Sequence, residues 1–170
     1  KGIRMSTGEV VGILNSDDFY TSSDVVEKLE KSLLPTEWMQ CMEIFISWMA
    51  MTWVNVSVII RQDFSTVAGL RLGFMPAHPS FYCRKIIYDK YGGFDLSYKI
   101  ASDFECLLRF IFVHKIQTTY IPMDFVTMRT GGTSTSGFAS HKQIISDHQK
   151  AFKRNGIYSN AFFGIIEVYL

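Results

Sequence analysis

The stretch that decides the fold of this chain reads VVGILNSDD over residues 10–18. Its apolar, β-branched first half predicts a buried strand over Val10–Asn15. Asp17 and Asp18 follow at the carboxyl end of that strand, which is where open α/β sheets place their ligand crevices. Mg²⁺ takes one or two carboxylates from a protein together with substrate phosphates. The stretch therefore predicts an α/β fold with a metal-bound nucleotide, although a turn with a helix N-cap fits the same residues.

Two later motifs extend this pattern. Residues 92–105 read GGFDLSYKIASDFE, a Gly-Gly-Phe-Asp turn followed by an acidic pair that opens an apolar helix. Residues 128–134 read MRTGGTS, in which an arginine precedes a Gly-Gly pair. Together with the Ser-Asp-Asp strand, these motifs resemble family 2 glycosyltransferases of the GT-A fold, in particular bacterial enzymes that build exopolysaccharide and lipopolysaccharide sugars. The resemblance covers residues 1–34 and about 71–155, and it fails over 35–70.

The resemblance implies an α/β, Rossmann-like nucleotide-diphospho-sugar transferase domain. In that family a strand–helix–strand half, which holds the base and ribose, precedes the Ser-Asp-Asp strand. We therefore expect a partial GT-A domain that lacks its N-terminal nucleotide-binding strands and is itself inactive. The intact enzyme would transfer a sugar from a nucleotide-sugar donor to a glycan or lipid-linked acceptor, with inversion and with Mn²⁺ or Mg²⁺. We expect it in the cytoplasm, with peripheral association at the inner face of the cell membrane left open.

The resemblance also assigns roles to the donor-side residues. Asp18 would bind the metal ion, and Asp17 and Ser16 would contact the donor near its ribose. The metal would neutralise the diphosphate leaving group as the sugar departs. Arg129 and the glycines after it would form a loop over the donor phosphates, because Arg pairs bidentately with phosphate. A plain surface turn explains the same residues equally well.

Asp103 is the predicted general base, because the family places an acidic residue at the start of a helix under the acceptor. An inverting transfer needs a carboxylate to take the proton from the acceptor hydroxyl. Many relatives have Glu-Asp here, whereas this chain has Ser-Asp-Phe-Glu over residues 102–105. Ser102 and Glu105 have the spacing of a capping box. We therefore predict that Glu105, although grouped with the acceptor side, mainly caps the helix.

Three further residues are assigned to the acceptor side. Gly93 and Asp95 resemble the acceptor-side turn of the family, although a glycine C-cap for the preceding helix accounts for the Gly-Gly pair as well. His78 lies between two prolines on a loop, and it is a candidate for the acceptor or diphosphate side. A lone histidine in such a loop is more often structural or solvated.

Residues 38–60 do not fit the resemblance, because they hold three Trp and four Met with Glu43 as their single charge. One interpretation is a buried or membrane-inserting helix, since about 20 apolar residues span a bilayer. It supports an alternative function, a non-catalytic membrane-associated protein anchored by this segment. A second interpretation is a frameshift from near Pro35 to near Leu70, because the shifted frame is compatible with a family-like Val-Tyr-Gly-Asp run and an acidic hairpin. An inactive remnant of the fold is a third alternative.

Composition bounds the remaining function classes. The chain has 170 residues, with 17 basic and 16 acidic side chains, which argues against a nucleic-acid partner. Its three cysteines form no Cys-x-x-Cys pair, so a disulfide framework or zinc site is not expected. We treat it as a single partial domain in four segments: a metal-motif strand and helix (1–34), an anomalous apolar segment (35–70), an acceptor-side half (71–155) and an apolar tail (156–170).

Periodicity and breaker residues predict the other elements. We expect helices over residues 24–33, 84–91, 102–114 and 138–154, of which the first and third show apolar spacing and the last is mostly polar. The second of these should stop at Gly92, which suits the left-handed position after a helix. A strand is predicted over residues 118–128, with Pro122 marking an edge position or a bulge.

Overall fold

The computed structural model describes residues 1–33, 40–48, 58–60, 69–70, 75, 78–116, 118–129 and 138–158. The chain is a mixed helix-and-strand protein, as the predicted α/β class requires. It divides into two compact units. The first unit is formed by Lys1–Asp63, Pro76–Lys90 and Gln117–Thr130, and the second by Phe64–Met75, Tyr91–Ile116 and Gly131–Leu170.

The first unit carries the described strands and three helices. The strands are β1 (Val10–Val11), β2 (Phe19–Tyr20), β3 (Gln40–Trp48), β4 (Val58–Ile60), β5 (Cys83–Arg84) and β6 (Thr118–Arg129). The helices are α1 (Gly2–Met5), α2 (Val25–Leu33) and α3 (Lys85–Tyr91), and a 3₁₀ turn covers His78–Ser80. Tyr91, the last residue of α3, belongs to the second unit.

These strands form a two-stranded sheet, β1–β5, and a four-stranded sheet in the order β2-β6-β3-β4. β6 runs parallel to β3 and antiparallel to β2. Glu43 pairs with Ile121 and Ile44 pairs with Asp124, so two residues of β6 bulge out of the ladder at Pro122. A proline has no N–H to donate to the ladder, which explains the bulge at this position. The predicted bulge is confirmed, whereas the edge alternative is wrong because β6 has a neighbour on each side.

The core of the first unit lies between α2, β6 and Tyr82, the residue before β5. Val25 and Leu29, one helical turn apart, are buried against Tyr82, Phe125 and Val126. The ring of Tyr82 meets that of Phe125 edge to face, with 5.8 Å between centroids. The amphipathic spacing that predicted α2 thus corresponds to a buried face.

The described part of the second unit includes two helices that can be followed from end to end, and a π-helical extension. They are α4 (Ser102–Leu107), continued by a π-helix at Leu108–Val113, and α5 (Phe138–Arg154). Phe104 of α4 stacks on His148 of α5 at 3.7 Å between centroids and meets Phe152 edge to face at 5.5 Å. The predicted helix over 102–114 is therefore present, with a widened second half that sequence periodicity does not reveal.

Two predictions about the first unit need correction. The strand expected over Val10–Asn15 is paired with another strand only at Val10 and Val11, and Asn15 already belongs to a turn. The helical interpretation of residues 38–60 is wrong wherever the structure describes them, because those residues form β3 and β4. Among the helices that are described, none combines the length and apolar character needed to cross a bilayer. The helix end at Pro35, residues 34–39 and the tail beyond residue 158 lie outside the described part.

Candidate functional site

The Gly-Gly-Phe-Asp turn begins the candidate site in the second unit. Gly92 follows the last residue of α3 with φ of 84°, the left-handed conformation that favours glycine. The Asp95 carboxylate accepts the Ser97 N–H at 2.8 Å, and Tyr98 N–H reaches the Asp95 carbonyl at 3.4 Å. The N–H and hydroxyl of Ser97, assisted by Arg154, hold the pKa of Asp95 below its ordinary value. The predicted C-cap is confirmed, and Asp95 closes the turn that follows it.

Arg109 joins this turn to α4. Its Nε and Nη2 donate to the two carboxylate oxygens of Glu105 at 2.9 and 3.2 Å. Its Nη2 also donates to the Gly93 carbonyl at 2.8 Å, while Nη1 donates to the carbonyls of Gly92, at 3.2 Å, and Tyr91. Burial opposes the charge of the guanidinium, but Glu105 outweighs it, so the pKa of Arg109 lies above its ordinary value. The turn and the helix are therefore one hydrogen-bonded assembly.

The predicted capping role of Glu105 is wrong. Ala101 is the N-cap residue of α4 and makes no side-chain cap bond, so Ser102 already lies inside the helix. A serine at that position lacks the geometry of a capping box, which needs the hydroxyl at the N-cap. The Glu105 side chain points instead to Arg109, one turn along the helix. Asp103 supplies the local bond, since its Oδ1 accepts the Phe104 N–H at 2.8 Å.

Asp147 on α5 fixes the start of α4, a role that no sequence motif predicted. Its Oδ2 accepts three successive backbone N–H groups, those of Lys99 at 3.0 Å, Ile100 at 2.9 Å and Ala101 at 3.2 Å. Burial would raise the pKa of this carboxyl, but these donors outweigh burial and hold the pKa below its ordinary value. No local signal marks Asp147, because the buried face of α5 also carries the polar residues Ser140 and His148.

A pocket of about 310 Å³ opens where these groups meet. It is lined by Tyr91, Gly92, Gly93, Asp95, Glu105, Arg109, Arg154 and Asn155. Asn155 Nδ2 reaches Glu105 Oε1 at 3.4 Å, and Arg154 pairs with the Asp95 carboxylate. Three residues predicted to share the acceptor side, Gly93, Asp95 and Glu105, are thus brought together. Asp103 is not among the lining residues, although it is only two positions from Glu105.

The predicted donor-side carboxylates lie in the first unit. Residues Asn15–Asp18 form a turn in which Asp18 N–H donates to the Asn15 carbonyl at 3.2 Å. The Asn15 amide in turn donates to Asp18 Oδ2 at 2.7 Å. Asp17 and Ser16 are exposed. Within the described residues no cluster of three or more His, Cys, Asp or Glu side chains could hold a metal ion. A pair of carboxylates nevertheless suits a hard cation that also binds substrate phosphates.

The positions of the other predicted residues, His78 and Arg129, say little about their roles. His78 begins the 3₁₀ turn of the first unit, where its carbonyl accepts the Phe81 N–H at 3.1 Å. Arg129 is the last residue of β6 and pairs with Trp48, and its side chain lies outside the described part. Cys106 is buried on α4, and burial raises its thiol pKa to about 12, which makes it a poor nucleophile.

No protein-family model matches this sequence, and no curated protein matches it. A functional assignment therefore depends on the chemistry of the residues described above and on the motif resemblance. The pocket around Arg109 combines two carboxylates, two guanidinium groups and an amide in the described part of the second unit.

Proposed function

We propose that this chain is part of a family 2 glycosyltransferase of the GT-A type, and that the pocket of the second unit receives the acceptor. The observation that carries the proposal is the convergence of Gly93, Asp95 and Glu105 around Arg109. Three of the four residues that the sequence assigned to the acceptor side line one pocket, whereas the fourth, His78, lies in the first unit. Its walls are carboxylate, guanidinium, amide and carbonyl groups, which are hydrogen-bonding partners for sugar hydroxyls.

The proposed reaction is an inverting displacement. An acceptor hydroxyl oxygen attacks the anomeric carbon, and its proton passes to a carboxylate. The bond from the anomeric carbon to the diphosphate oxygen breaks, and its electron pair leaves with the nucleoside diphosphate. Mn²⁺ or Mg²⁺ held by Asp18, with Asp17 beside it, would neutralise the charge on that leaving group.

Asp103 is the proposed base, although Glu105 and not Asp103 lines the pocket. Both oxygens of Glu105 already accept hydrogen bonds from Arg109, so they are less available to an acceptor hydroxyl. The Asp103 carboxylate has one local bond, to the Phe104 N–H, and it is only partly buried.

The test compares the 170-residue chain with a longer version encoded by the surrounding DNA. The longer version includes the residues encoded upstream of Lys1, and its residues 36–70 are translated in the corrected reading frame. Both are titrated by calorimetry with uridine, guanosine and thymidine diphosphate sugars in the presence of Mn²⁺. We expect metal-dependent donor binding and sugar transfer by the longer version and no micromolar binding by the 170-residue chain.

Each result has a defined meaning. Absence of donor binding by the longer version would overturn the proposed function. Micromolar binding by the 170-residue chain would instead show that the nucleotide-binding half is not missing, and the frameshift hypothesis would fall with it. Sequencing the DNA across codons 35–70 provides an independent check on that hypothesis.

A further inference from the structure

Arg109, the more buried cation of the pocket, has no hydrogen-bond donor left for a ligand. A guanidinium carries five N–H groups. Those of Arg109 make two bonds to the Glu105 carboxylate and one each to the carbonyls of Tyr91, Gly92 and Gly93. Arg109 therefore holds the pocket wall together, and a ligand must be recognised by other side chains.

Arg154, the second cation that lines the pocket, still has donors available. Its Nη1 donates to the Asp95 carboxylate and, at 3.1 Å, to the Ser97 hydroxyl. Its Nε and Nη2 make no hydrogen bond to any residue that the structure describes. The side chain is 55 % exposed, so a solute can reach it. Nε and Nη2 form the edge of a guanidinium that pairs with two oxygens of one anionic group, as Arg109 does with Glu105.

Two neutral polar groups beside Arg154 are also incompletely satisfied. The Asn155 Nδ2 donates to Glu105 Oε1 at 3.4 Å and to the Ala151 carbonyl at 2.9 Å, whereas its Oδ1 bonds to no described residue. The Tyr98 ring centroid lies 6.0 Å from the guanidinium carbon of Arg154, and its buried hydroxyl has no hydrogen-bond partner in the described part of the chain. Because buried polar groups are normally paired, this edge of the pocket has hydrogen-bonding capacity that the protein does not use.

Positive charge is in excess at the same edge. The N–H and hydroxyl of Ser97, with Arg154 and Lys150, hold the pKa of Asp95 below its ordinary value, so both cations lie near that carboxylate. The Lys150 ammonium is 4.2 Å from the Tyr98 ring centroid. Glu105, the other carboxylate of the pocket, is already paired with Arg109. Two cations thus face one carboxylate here, and an anionic group is attracted to them.

We propose that this pocket selects an acidic sugar, whose carboxylate or phosphate group pairs with Nε and Nη2 of Arg154 while a hydroxyl donates to Asn155 Oδ1. Arg154 is then the residue that determines specificity. A neutral sugar leaves that edge of the guanidinium without an anionic partner and gains nothing from the excess of positive charge. The inference rests on the proposed function, since it names the class of acceptor for the same pocket.

The experiment measures sugar binding by the full 170-residue chain. Dissociation constants for glucuronate, glucose 6-phosphate and glucose are determined by ligand-observed NMR. We expect at least one of the two acidic sugars to bind about fivefold more tightly than glucose. The preference should fall as salt screens the charges. Comparison of glucuronate with glucose 6-phosphate identifies the anionic group that the pocket prefers.

Matched variants assign the preference to Arg154. Arg154→Gln should abolish it, and Arg154→Lys, which keeps the charge without the planar fork, should retain only part of it. The control is Lys153→Gln, which removes the same charge from the adjacent position, because Lys153 is exposed and does not line the pocket. The control should keep the full preference. Circular dichroism verifies that each variant folds.

Several results would overturn the inference. They are no binding of the acidic sugars, equal binding of acidic and neutral sugars, or a full preference in either Arg154 variant. Loss of the preference in Lys153→Gln would also overturn it, because the cause would then be net charge. Donor binding by the longer version tests the proposed function separately. Donor binding and transfer without an acidic preference would remove only the inference, whereas an Arg154-dependent preference without donor binding would remove only the proposed function.

Discussion

Arg109 and Glu105 form a forked ion pair one turn apart, with Nε 2.9 Å from Oε1 and Nη2 3.2 Å from Oε2. The two side chains are 16 % and 7 % exposed, so the pair is largely withdrawn from water. The same guanidinium holds the carbonyls of Gly92 and Gly93. Removing one partner leaves a buried charge without its counter-charge, which is far more costly than breaking a surface pair.

We therefore expect Glu105→Ala to lower the free energy of unfolding by about 3 kcal/mol. The matched control is the pair Lys31–Glu27, which has the same spacing and a 2.6 Å contact but side chains 71 % and 63 % exposed. Glu27→Ala should cost less than about 0.5 kcal/mol. Urea unfolding followed by circular dichroism measures both. Equal costs for Glu105→Ala and Glu27→Ala would mean that burial does not make the Arg109–Glu105 pair more important for stability than an exposed pair.

Asp147 should make the second unit sensitive to acid. Its folded pKa lies below the unfolded value, so its contribution is complete above the unfolded pKa and is lost as the pH falls through the folded one. The unfolded value is about 3.9, so the loss begins near that pH and continues below it. Asp147→Asn should cost about 2 kcal/mol at neutral pH, because the ionised acceptor of three N–H groups is gone.

The pH dependence separates this role from simple packing. At a pH well below 4 the parent carboxyl is itself becoming protonated, so the cost of Asp147→Asn should shrink markedly. Urea unfolding of both proteins at neutral and acidic pH gives the comparison. A cost that is the same at both would show that the charge of Asp147 contributes nothing.

Asp103 and Glu105 should respond differently in a catalytic assay of the longer, frame-corrected version. Asp103→Asn should abolish transfer to the acceptor and keep donor binding, since an amide has the shape of the carboxylate without its proton affinity. Glu105→Gln should mainly lower stability, through the weakened bond to Arg109. Turnover and donor affinity are measured side by side. Loss of turnover in Glu105→Gln with normal turnover in Asp103→Asn would reverse the roles.

Asp18 should be required for metal dependence in that same version. Asp18→Ala should abolish Mn²⁺-dependent transfer and leave the fold intact, because its bond to Asn15 lies in an exposed turn. The measurement is transfer across a Mn²⁺ titration, with circular dichroism as the check on folding. Unchanged Mn²⁺-dependent activity would remove Asp18 from the metal site.

Local patterns predicted the helices, whereas long-range partners were beyond the sequence. The spacing of Val25 and Leu29 marks the buried face of α2, and Gly92 marks the end of α3, because both signals lie within a few residues. Asp147 bonds to N–H groups 46 to 48 residues away, and no local pattern reports such a pairing.

Glu105 shows how two local signals can compete. Its spacing from Ser102 predicts a capping box, and its spacing from Arg109 predicts an ion pair along the helix. The capping box fails because Asp147 already holds the N–H groups that precede α4, including that of the N-cap residue Ala101. The carboxylate is then available to Arg109. The correct choice required knowledge of α5, which lies far along the chain.

Gly12 provides a steric test of the first unit. A Cβ built on Gly12 would lie 2.2 Å from Cε1 and 2.5 Å from Cδ1 of Tyr82. The Tyr82 ring is only 7 % exposed and packs edge to face on Phe125, so it cannot move without disturbing the core. Gly12→Ala should therefore lower the free energy of unfolding by about 1–3 kcal/mol. Gly8→Ala is the control, since its Cβ would meet nothing nearer than the Val10 carbonyl oxygen at 3.5 Å.

A double-mutant cycle identifies Tyr82 as the cause. Tyr82→Ala removes the ring and should itself cost about 3–5 kcal/mol, as large-to-small changes in a core do. Once the ring is gone, Gly12→Ala should have almost no further effect, because the atoms that a Cβ would strike are absent. The cost of the double variant should then fall short of the sum of the two single costs by nearly the whole cost of Gly12→Ala. Additive costs in urea unfolding would show that Gly12 is required for its backbone freedom and not for the close approach of Tyr82.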